Sequence, residues 1–382
     1  MTKGILLLCL IFSLTICFSQ SHHEKKKYLK EHAVVLNSDS IDFSYLAPLI
    51  ADKDFIFLSD GHQTATSKIY FTAFIQFLHN NLGFNVLVME TGLVGAEIAN
   101  DEMHLFPQEA VPIAQKYMAS FITDCNASSQ LFNYIGTTKS SPQPLEVAGI
   151  DIELNKTRTA LFENLDAILK LHHDPVFYSS NYKQFKYCVD SLATPLTSKK
   201  LSATSKSFLI NYADTLGKVV KNISPKDTFL QLTIENLQAY IKCSMNASPI
   251  ENSDCRNDAM YQNLLYLMRN KYPGEKFIIW ASPAHLAQGF FEGETAMAKY
   301  FYTDFPRHKV FYLASTSYTV DSRGATAKKN LAADLHDAKL DCCILLLHQT
   351  EDEKSILNQY KDSRFFDAVL YYDNMKSCGR DY

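Results

Sequence analysis

The stretch Lys53–Gly92, KDFIFLSDGHQTATSKIYFTAFIQFLHNNLGFNVLVMETG, decides the fold. It opens on a short apolar run inside Asp54–Asp60 and passes through GHQT, Gly61–Thr64. A helix-like segment follows, Thr66 to Leu82, with Ile69, Ala73, Phe77 and Leu82 on one stripe, and GFNVLVMETG closes the stretch. Two continuous apolar runs bracketing an amphipathic helix predict a parallel βαβ unit. Such sheets bind ligands beyond the carboxyl ends of their strands. Asp60 and His62 follow the first strand and Glu90 ends the second, so three proton-handling groups are expected at one edge. Singly, each has a plainer use, as a turn cap, a backbone partner or a solvated rim residue. Together, after neighbouring strands, they mark a candidate site.

The rest of the chain extends this plan. Leu93–Met103 reads as a helix with Ala96, Ala99 and Met103 on its apolar side and Asn100 and Asp101 also on it. LEVAGID, Leu145–Asp151, is a third buried strand, and its terminal Asp151 serves equally well as a helix cap or a site residue. From 155 to 253 apolar residues recur at helical spacing with no strand run, which predicts a helical insertion. CRNDAMYQNLLYLMRN, Cys255–Asn270, is a helix with Met260, Leu264, Leu267 and Met268 on its buried face. Arg256 and Asn263, two turns apart, share one side of it. EKFIIWASPAH, Glu275–His285, is a strand whose loop carries Ser282 and His285. Lys309–Thr316, Cys342–His348 and Phe366–Tyr372 complete the strands, His348 being a weaker site candidate. The expected fold is α/β: a mostly parallel central sheet flanked by helices, with a helical insertion.

The 382 residues carry 37 Lys and Arg against 41 Asp and Glu, a net charge of −4. No basic stripe is evident, which argues against nucleic-acid binding. Lys3 followed by the apolar Ile5–Phe18 and small residues at Cys17 and Ser19 reads as a signal peptide, residues 1–19, cleaved after Ser19. A lipoprotein anchor at Cys17 is the alternative, and no stable membrane span is expected after cleavage. The mature protein is then periplasmic or secreted, with a flexible leader to residue 44 and one domain over 45–382. Seven cysteines follow the signal, with no metal-type spacing. Export permits disulfides, with Cys243 and Cys255 a possible local pair, while Cys342 or Cys343, inside an apolar run, is expected to be a buried free thiol.

These residues, in this order, resemble the erythromycin esterase family. The family shows a GExxHGT loop after the first strand, an LEA-type Glu after the second, a helix of form RDxxMAxN and a strand entering WAHNAH. The counterparts here are LSDGHQT with His62, VMETG with Glu90, CRNDAMYQN with Arg256, Met260 and Asn263, and WASPAH with Trp280 and His285. IANDEM with Asn100, GIDIE with Asp151 and FDAVLYYD also fit. The resemblance implies hydrolysis of a small-molecule ester or lactone without metal or other cofactor. His62 would be the general base, Glu90 and His285 its supports with Asp60, and Arg256 the stabiliser of charge on the carbonyl oxygen. Asn100, Asp151, Asn263 and Ser282 would contact substrate. The departures are Ser59 at the loop Glu, with Asp60 restoring an acid only if the loop is one residue shorter, Gln63 at the glycine, Phe71 at a basic helix position, and Ser282 and Pro283 in WAHNAH. Losing one acid and one histidine should weaken water activation by orders of magnitude. Two other readings stay open: a family member that keeps the cleft for an apolar ligand without turnover, and a haem- or metal-binding exported protein using His62, His285 and Glu90. Ser282 as a nucleophile lacks the G-x-S-x-G elbow.

Overall fold

The structure, a computed structural model, describes residues 23–37, 41–62, 64–152, 156–192, 201–245, 248–287, 290–291, 294–321, 330–347 and 366–378. The expected signal peptide and His348 lie outside the described residues. Eight strands form one sheet: β1 (Ala33–Val35), β2 (Phe55–Ser59), β3 (Phe84–Gly92), β4 (Glu146–Asp151), β5 (Lys276–Ala281), β6 (Val310–Val320), β7 (Cys342–Leu346) and β8 (Ala368–Met375). Their spatial order is β1-β7-β8-β6-β2-β5-β3-β4. From β8 to β4 every pair is parallel, and β7 is antiparallel to both β8 and β1. The fold is therefore α/β with a mixed, mostly parallel sheet. Because β7 runs the other way, its own carboxyl end at Leu346 lies at the opposite end of the sheet from Asp60, Glu90 and Asp151.

Both faces of the central strands are covered, which is why they read as unbroken apolar runs. In β2, Ile56 and Leu58 face one cluster with Leu87, Met89 and Trp280, while Phe55 and Phe57 face another with Val86, Val88 and Ile279. Helices α1 (Ala65–Leu82), α2 (Leu93–Leu105), α3 (Ala110–Tyr117) and α4 (Asn126–Thr138) supply the first cluster. Between β4 and β5 come α5 (Thr157–Leu171), α6 (Ser180–Leu192), α7 (Ala203–Ile223), α8 (Thr228–Cys243) and α9 (Pro249–Tyr266). Helices α5 to α8 enclose an apolar cluster of their own, including Leu165, Phe185, Leu216 and Leu237. Helix α9 packs Met260 and Leu264 against the second face, beside α10 (Met297–Asp304).

Two expectations are corrected here. The apolar stripe of α1 is the Ile69–Ala73–Phe77–Leu82 row only in part: Ala73, Phe77 and Leu82 pack half-buried on the core. Ile69 is exposed, and the buried face is Tyr70, Phe71, Phe74, Ile75 and Leu78. The segment is apolar nearly all round, so its sequence leaves the phase open and packing on the sheet sets it. The flexible leader is also not one throughout. Residues 23–32 are helical, Leu29 is fully buried against Leu331 and Leu335 of α11 (Leu331–Asp337), and Lys25 pairs with Asp334 at 2.5 Å. Burying that leucine and pairing β1 with β7 anchor the segment.

Two disulfides join described residues: Cys243–Cys255, the local pair, and Cys125–Cys378, across 253 residues. Cys188, Cys342 and Cys343 are free. The second bridge ties the start of α4 to a strap after β8. That strap also bonds the His62 loop, Ala65 N donating to Lys376 O at 2.8 Å and Lys376 N to Thr66 Oγ1 at 2.8 Å. No helix among the described residues is long and apolar enough to cross a membrane.

Candidate active site

The parallel register aligns Leu58, Trp280 and Met89 on three adjacent strands, with Ser59 beside Ala281. The next residues in each chain therefore emerge together. Between Met89 and Gly92 the β3–β4 register slips, a bulge that re-aims the strand at Glu90. Gly149 permits it: a Cβ there would stand 2.5 Å from Thr91 O and 2.6 Å from Gly92 O.

Glu90 is the hub, with 3% of its surface exposed. Its Oε1 lies 2.9 Å from His285 Nε2, 3.3 Å from His62 Nε2 and 3.3 Å from Arg256 Nη2. Its Oε2 accepts from Ser282 N at 2.8 Å. Burial pushes this carboxyl toward its neutral form. The charge and hydrogen bond of His285, with those of His62, outweigh burial and hold it well below the usual carboxylate range.

The two histidines differ in surroundings. His285 is buried and held at both ring nitrogens, by Glu90 and by Asn257 Oδ1 at 2.5 Å from Nδ1. His62 is about one-third exposed, and its ring packs on Phe121 with centroids 4.2 Å apart. Burial pulls its pKa down, but the hydrogen bond to Glu90 and the charges of Glu90 and Asp60 prevail, and the net shift is upward. Asp60 is clamped by Trp280 Nε1 at 2.9 Å, Ser67 Oγ at 2.5 Å and Thr64 Oγ1 at 3.0 Å. It sits beside the base as a fixed charge.

Arg256 donates from Nε to Asp151 Oδ1 at 2.9 Å and from Nη2 to Asp151 Oδ2 at 2.5 Å, besides its contact with Glu90. Asp151, at 1% exposure, anchors the arginine. Asn263 donates to Ile150 O at 2.8 Å and pairs with Asn236, buried behind the site. Both Arg256 and Asn263 face β4, as their two-turn spacing implies, but Asn263 does not line the cleft. Ser282 contributes its backbone N–H. Asn100 is a correction: it bonds Lys139 Nζ at 2.7 Å, Glu146 Oε2 at 2.7 Å and Val147 N at 2.9 Å, at the amino end of β4. Helix α2 leaves the carboxyl edge at Leu93 and runs back along the sheet, so seven residues on it has descended about 10 Å.

Asp60, His62, Lys68, Met89, Glu90, Phe121, Ile122, Trp280 and Ala281 line a small cleft. Its free volume is about 10 Å³, room for about one water. Three of the lining residues that escaped the sequence as site groups touch His62 or Asp60. Lys68 lies one turn before Phe71, where a cation is sought. Trp280 carries the N–H that fixes Asp60, and Phe121 comes from a helical piece with no motif. Phe71 itself is buried edge-on against Trp280, at 5.5 Å between centroids. Among the described residues no group of three or more His, Cys, Asp or Glu is placed as a metal-ligand set.

Fold and site together define an α/β protein with a buried carboxylate set between two imidazoles and a guanidinium at the carboxyl edge of its sheet. No protein-family model matches the chain. A Bacillus subtilis (strain 168) protein named "Putative hydrolase YbfO" is 24% identical over 314 residues, spanning 75% of this chain and 69% of its own. A Bacillus cereus protein of known crystal structure superimposes with a TM-score of 0.76 at 13% identity, covering 94% of this chain and 99% of its own. A succinoglycan biosynthesis protein gives 0.73 at 11%, over the same shares. A His-to-Asn mutant of erythromycin esterase EreC, in its open conformation, gives 0.68 at 15%, covering 91% and 98%. The chain has an erythromycin esterase-like fold.

Proposed function

We propose that the protein is an exported hydrolase that opens an ester or lactone bond with water activated by His62. One observation carries this reading: a partly exposed imidazole at a cleft, bonded through Nε2 to a buried, anionic Glu90. With its proton on Nε2, neutral His62 donates to Glu90 and keeps the Nδ1 lone pair for water. As water attacks the acyl carbon, His62 takes its proton, and the imidazolium forms beside a carboxylate that favours it. The upward shift of His62 has this same origin. His285, Asn257, Ser282 N–H and Arg256 hold Glu90 in place. We assign no metal to the step, because both Glu90 oxygens already accept from N–H donors. Two disulfides support export to an oxidising compartment. The related "Putative hydrolase YbfO" and the esterase-like fold support the reaction class.

The apolar part of the cleft wall, Met89, Phe121, Ile122 and Ala281, favours a second reading, capture of a small apolar ligand without turnover. The two separate in one assay series. Purified protein is offered 4-nitrophenyl esters and simple lactones, beside His62→Ala. Turnover that falls about 10²–10⁴-fold in His62→Ala supports hydrolysis. Saturable binding with no turnover supports the second reading, and a Soret band or stoichiometric metal in the purified protein overturns both.

A further inference from the structure

Ester hydrolysis needs a donor for the carbonyl oxygen as it gains negative charge. The site's N–H groups can be taken in turn. Arg256, the sequence-based choice, is committed to Asp151 and Glu90 and does not line the cleft. Ser282 N and His285 Nε2 serve Glu90, and Trp280 Nε1 serves Asp60. At the first turn of α1, Ala65 N and Thr66 N both donate to Lys376 O. Of the side-chain donors that line the cleft beside the base itself, Lys68 remains. It is 2% exposed, lines the cleft, and donates to His62 O at 2.7 Å. Its Nζ stands 5.7 Å from the Trp280 ring centroid. An ammonium has three N–H groups, and among the described residues only the His62 carbonyl takes one of them.

We propose that Lys68, not Arg256, is the catalytic residue that holds the carbonyl oxygen of the substrate. This deepens the hydrolase reading and rests on it. In the first step the water oxygen bonds to the acyl carbon, its proton passes to His62, and the C=O π pair moves onto oxygen beside the Lys68 ammonium. In the second that pair returns, the bond to the leaving oxygen breaks, and the alkoxide takes the proton from His62. One ester and one water give one acid and one alcohol. The substrate class follows: a neutral carbonyl compound, its oxygen directed to Trp280 and the first turn of α1. The positions fit a division of labour, since Lys68 bonds the backbone of the residue whose imidazole is the base. Burial lowers the lysine pKa below its ordinary value, with Asp60 opposing. The Lys68 charge in turn pulls the His62 pKa down.

The test compares Lys68→Met and Lys68→Arg with the wild type on the ester turned over fastest, across pH 5 to 10. Wild-type kcat rises as His62 loses its proton, above its ordinary value of 6.5, and falls as Lys68 loses its own, below 10.5. Lys68→Met is expected to lower kcat about 10²–10³-fold and to move the rising limb to higher pH, because a charge that disfavours the imidazolium is gone. Lys68→Arg is expected to restore kcat to within about tenfold and to abolish the falling limb, since guanidinium does not titrate there. The rising limb moves with the lysine charge in either case; a merely structural lysine leaves the falling limb unchanged in Lys68→Arg. If Lys68→Met keeps kcat within threefold while His62→Ala is inactive, the assignment is wrong and the hydrolase reading stands. If Lys68→Met does not fold, a falling limb that persists unchanged in Lys68→Arg overturns the assignment. Wild-type protein with no turnover sinks both.

Discussion

Glu90→Gln tests the electrostatics of the hub most directly. The amide matches the carboxylate in shape but brings one acceptor and one donor where the site offers donors on both sides. Its oxygen is best placed toward His285, His62 and Arg256, which leaves its NH₂ facing the N–H of Ser282. One hydrogen bond is lost and two donors are set against each other. Arg256 keeps Asp151, at 2.9 and 2.5 Å, so its charge is not abandoned. The cost is therefore below that of breaking an isolated buried pair, about 2–3 kcal/mol at pH 7. Its pH dependence has a fixed sign. The folded-state pKa of Glu90 is depressed, so its contribution is full above the ordinary value of 4.5 and fades as pH falls through the folded value. The stability gap between wild type and variant is expected to narrow from pH 5 toward pH 3. His62 reports the reverse case. Its raised pKa contributes stability in full below 6.5, lost as pH rises through the folded value. Without Glu90's charge, burial dominates, and the His62 pKa drops in the variant. Urea unfolding at several pH values gives the first quantity and an NMR titration of the imidazole the second. A His62 pKa unchanged or higher in Glu90→Gln, or a stability loss under 1 kcal/mol with an unaltered acid limb, refutes this account of the hub.

Two further outcomes follow from the geometry. Asn100→Ala removes bonds to Lys139, Glu146 and Val147 N at the far end of β4. It is expected to cost about 2–4 kcal/mol in urea unfolding while kcat on a test ester stays within twofold; a large loss of kcat at normal stability would return Asn100 to the site. Chain entropy gives the Cys125–Cys378 bridge, with its separation of 253, about 5 kcal/mol, and the Cys243–Cys255 bridge, with 12, about 3. Unfolding of Cys378→Ser is therefore expected at lower urea than that of Cys255→Ser, and the opposite order would show that strap and α4 are held by other contacts.

How legible each part was depended on range. The strands were readable because covering both faces makes every position apolar, and their polar ends marked where the chain leaves the sheet. Asp60, His62, Glu90 and the Ser282–His285 loop could thus be placed at one edge by register logic alone. The stripe of α1 was not readable, since Tyr70, Phe71, Phe74 and Ile75 interleave with Ile69, Ala73 and Phe77 and no phase stands out. Partner choice was not readable either. Asp151 claims Arg256 across 105 residues and Cys378 reaches Cys125 across 253, and nothing local to either residue encodes its partner. Asn100 fitted a motif whose helix carries it away from the edge. The helical leader was hidden because its anchors, Leu29 against Leu331 and Leu335, Lys25 on Asp334 and β1 on β7, all lie at the far end of the chain.

The departures from the erythromycin esterase pattern change meaning once the neighbours are placed. Ser59, at the position of the loop acid, is fully buried in β2, yet the next residue brings a carboxylate to the cleft. Phe71 cannot supply a cation, yet it packs on Trp280, whose N–H holds that carboxylate, and Lys68 one turn earlier reaches the cleft. Acid and cation are both still present, moved by one residue and by one helical turn. Loss of a single group, with everything else in place, would leave an unpaired charge in a buried site, which is expensive. Here the displaced groups are paired: Asp60 with three donors, Lys68 with the His62 carbonyl. A decayed site has no reason to keep a buried lysine that, among the described residues, leaves two N–H groups uncommitted, because desolvating an ammonium costs stability and apolar filling would be cheaper. The retained cost is what a group awaiting a carbonyl oxygen would show, and it weighs the chain toward chemistry over passive binding.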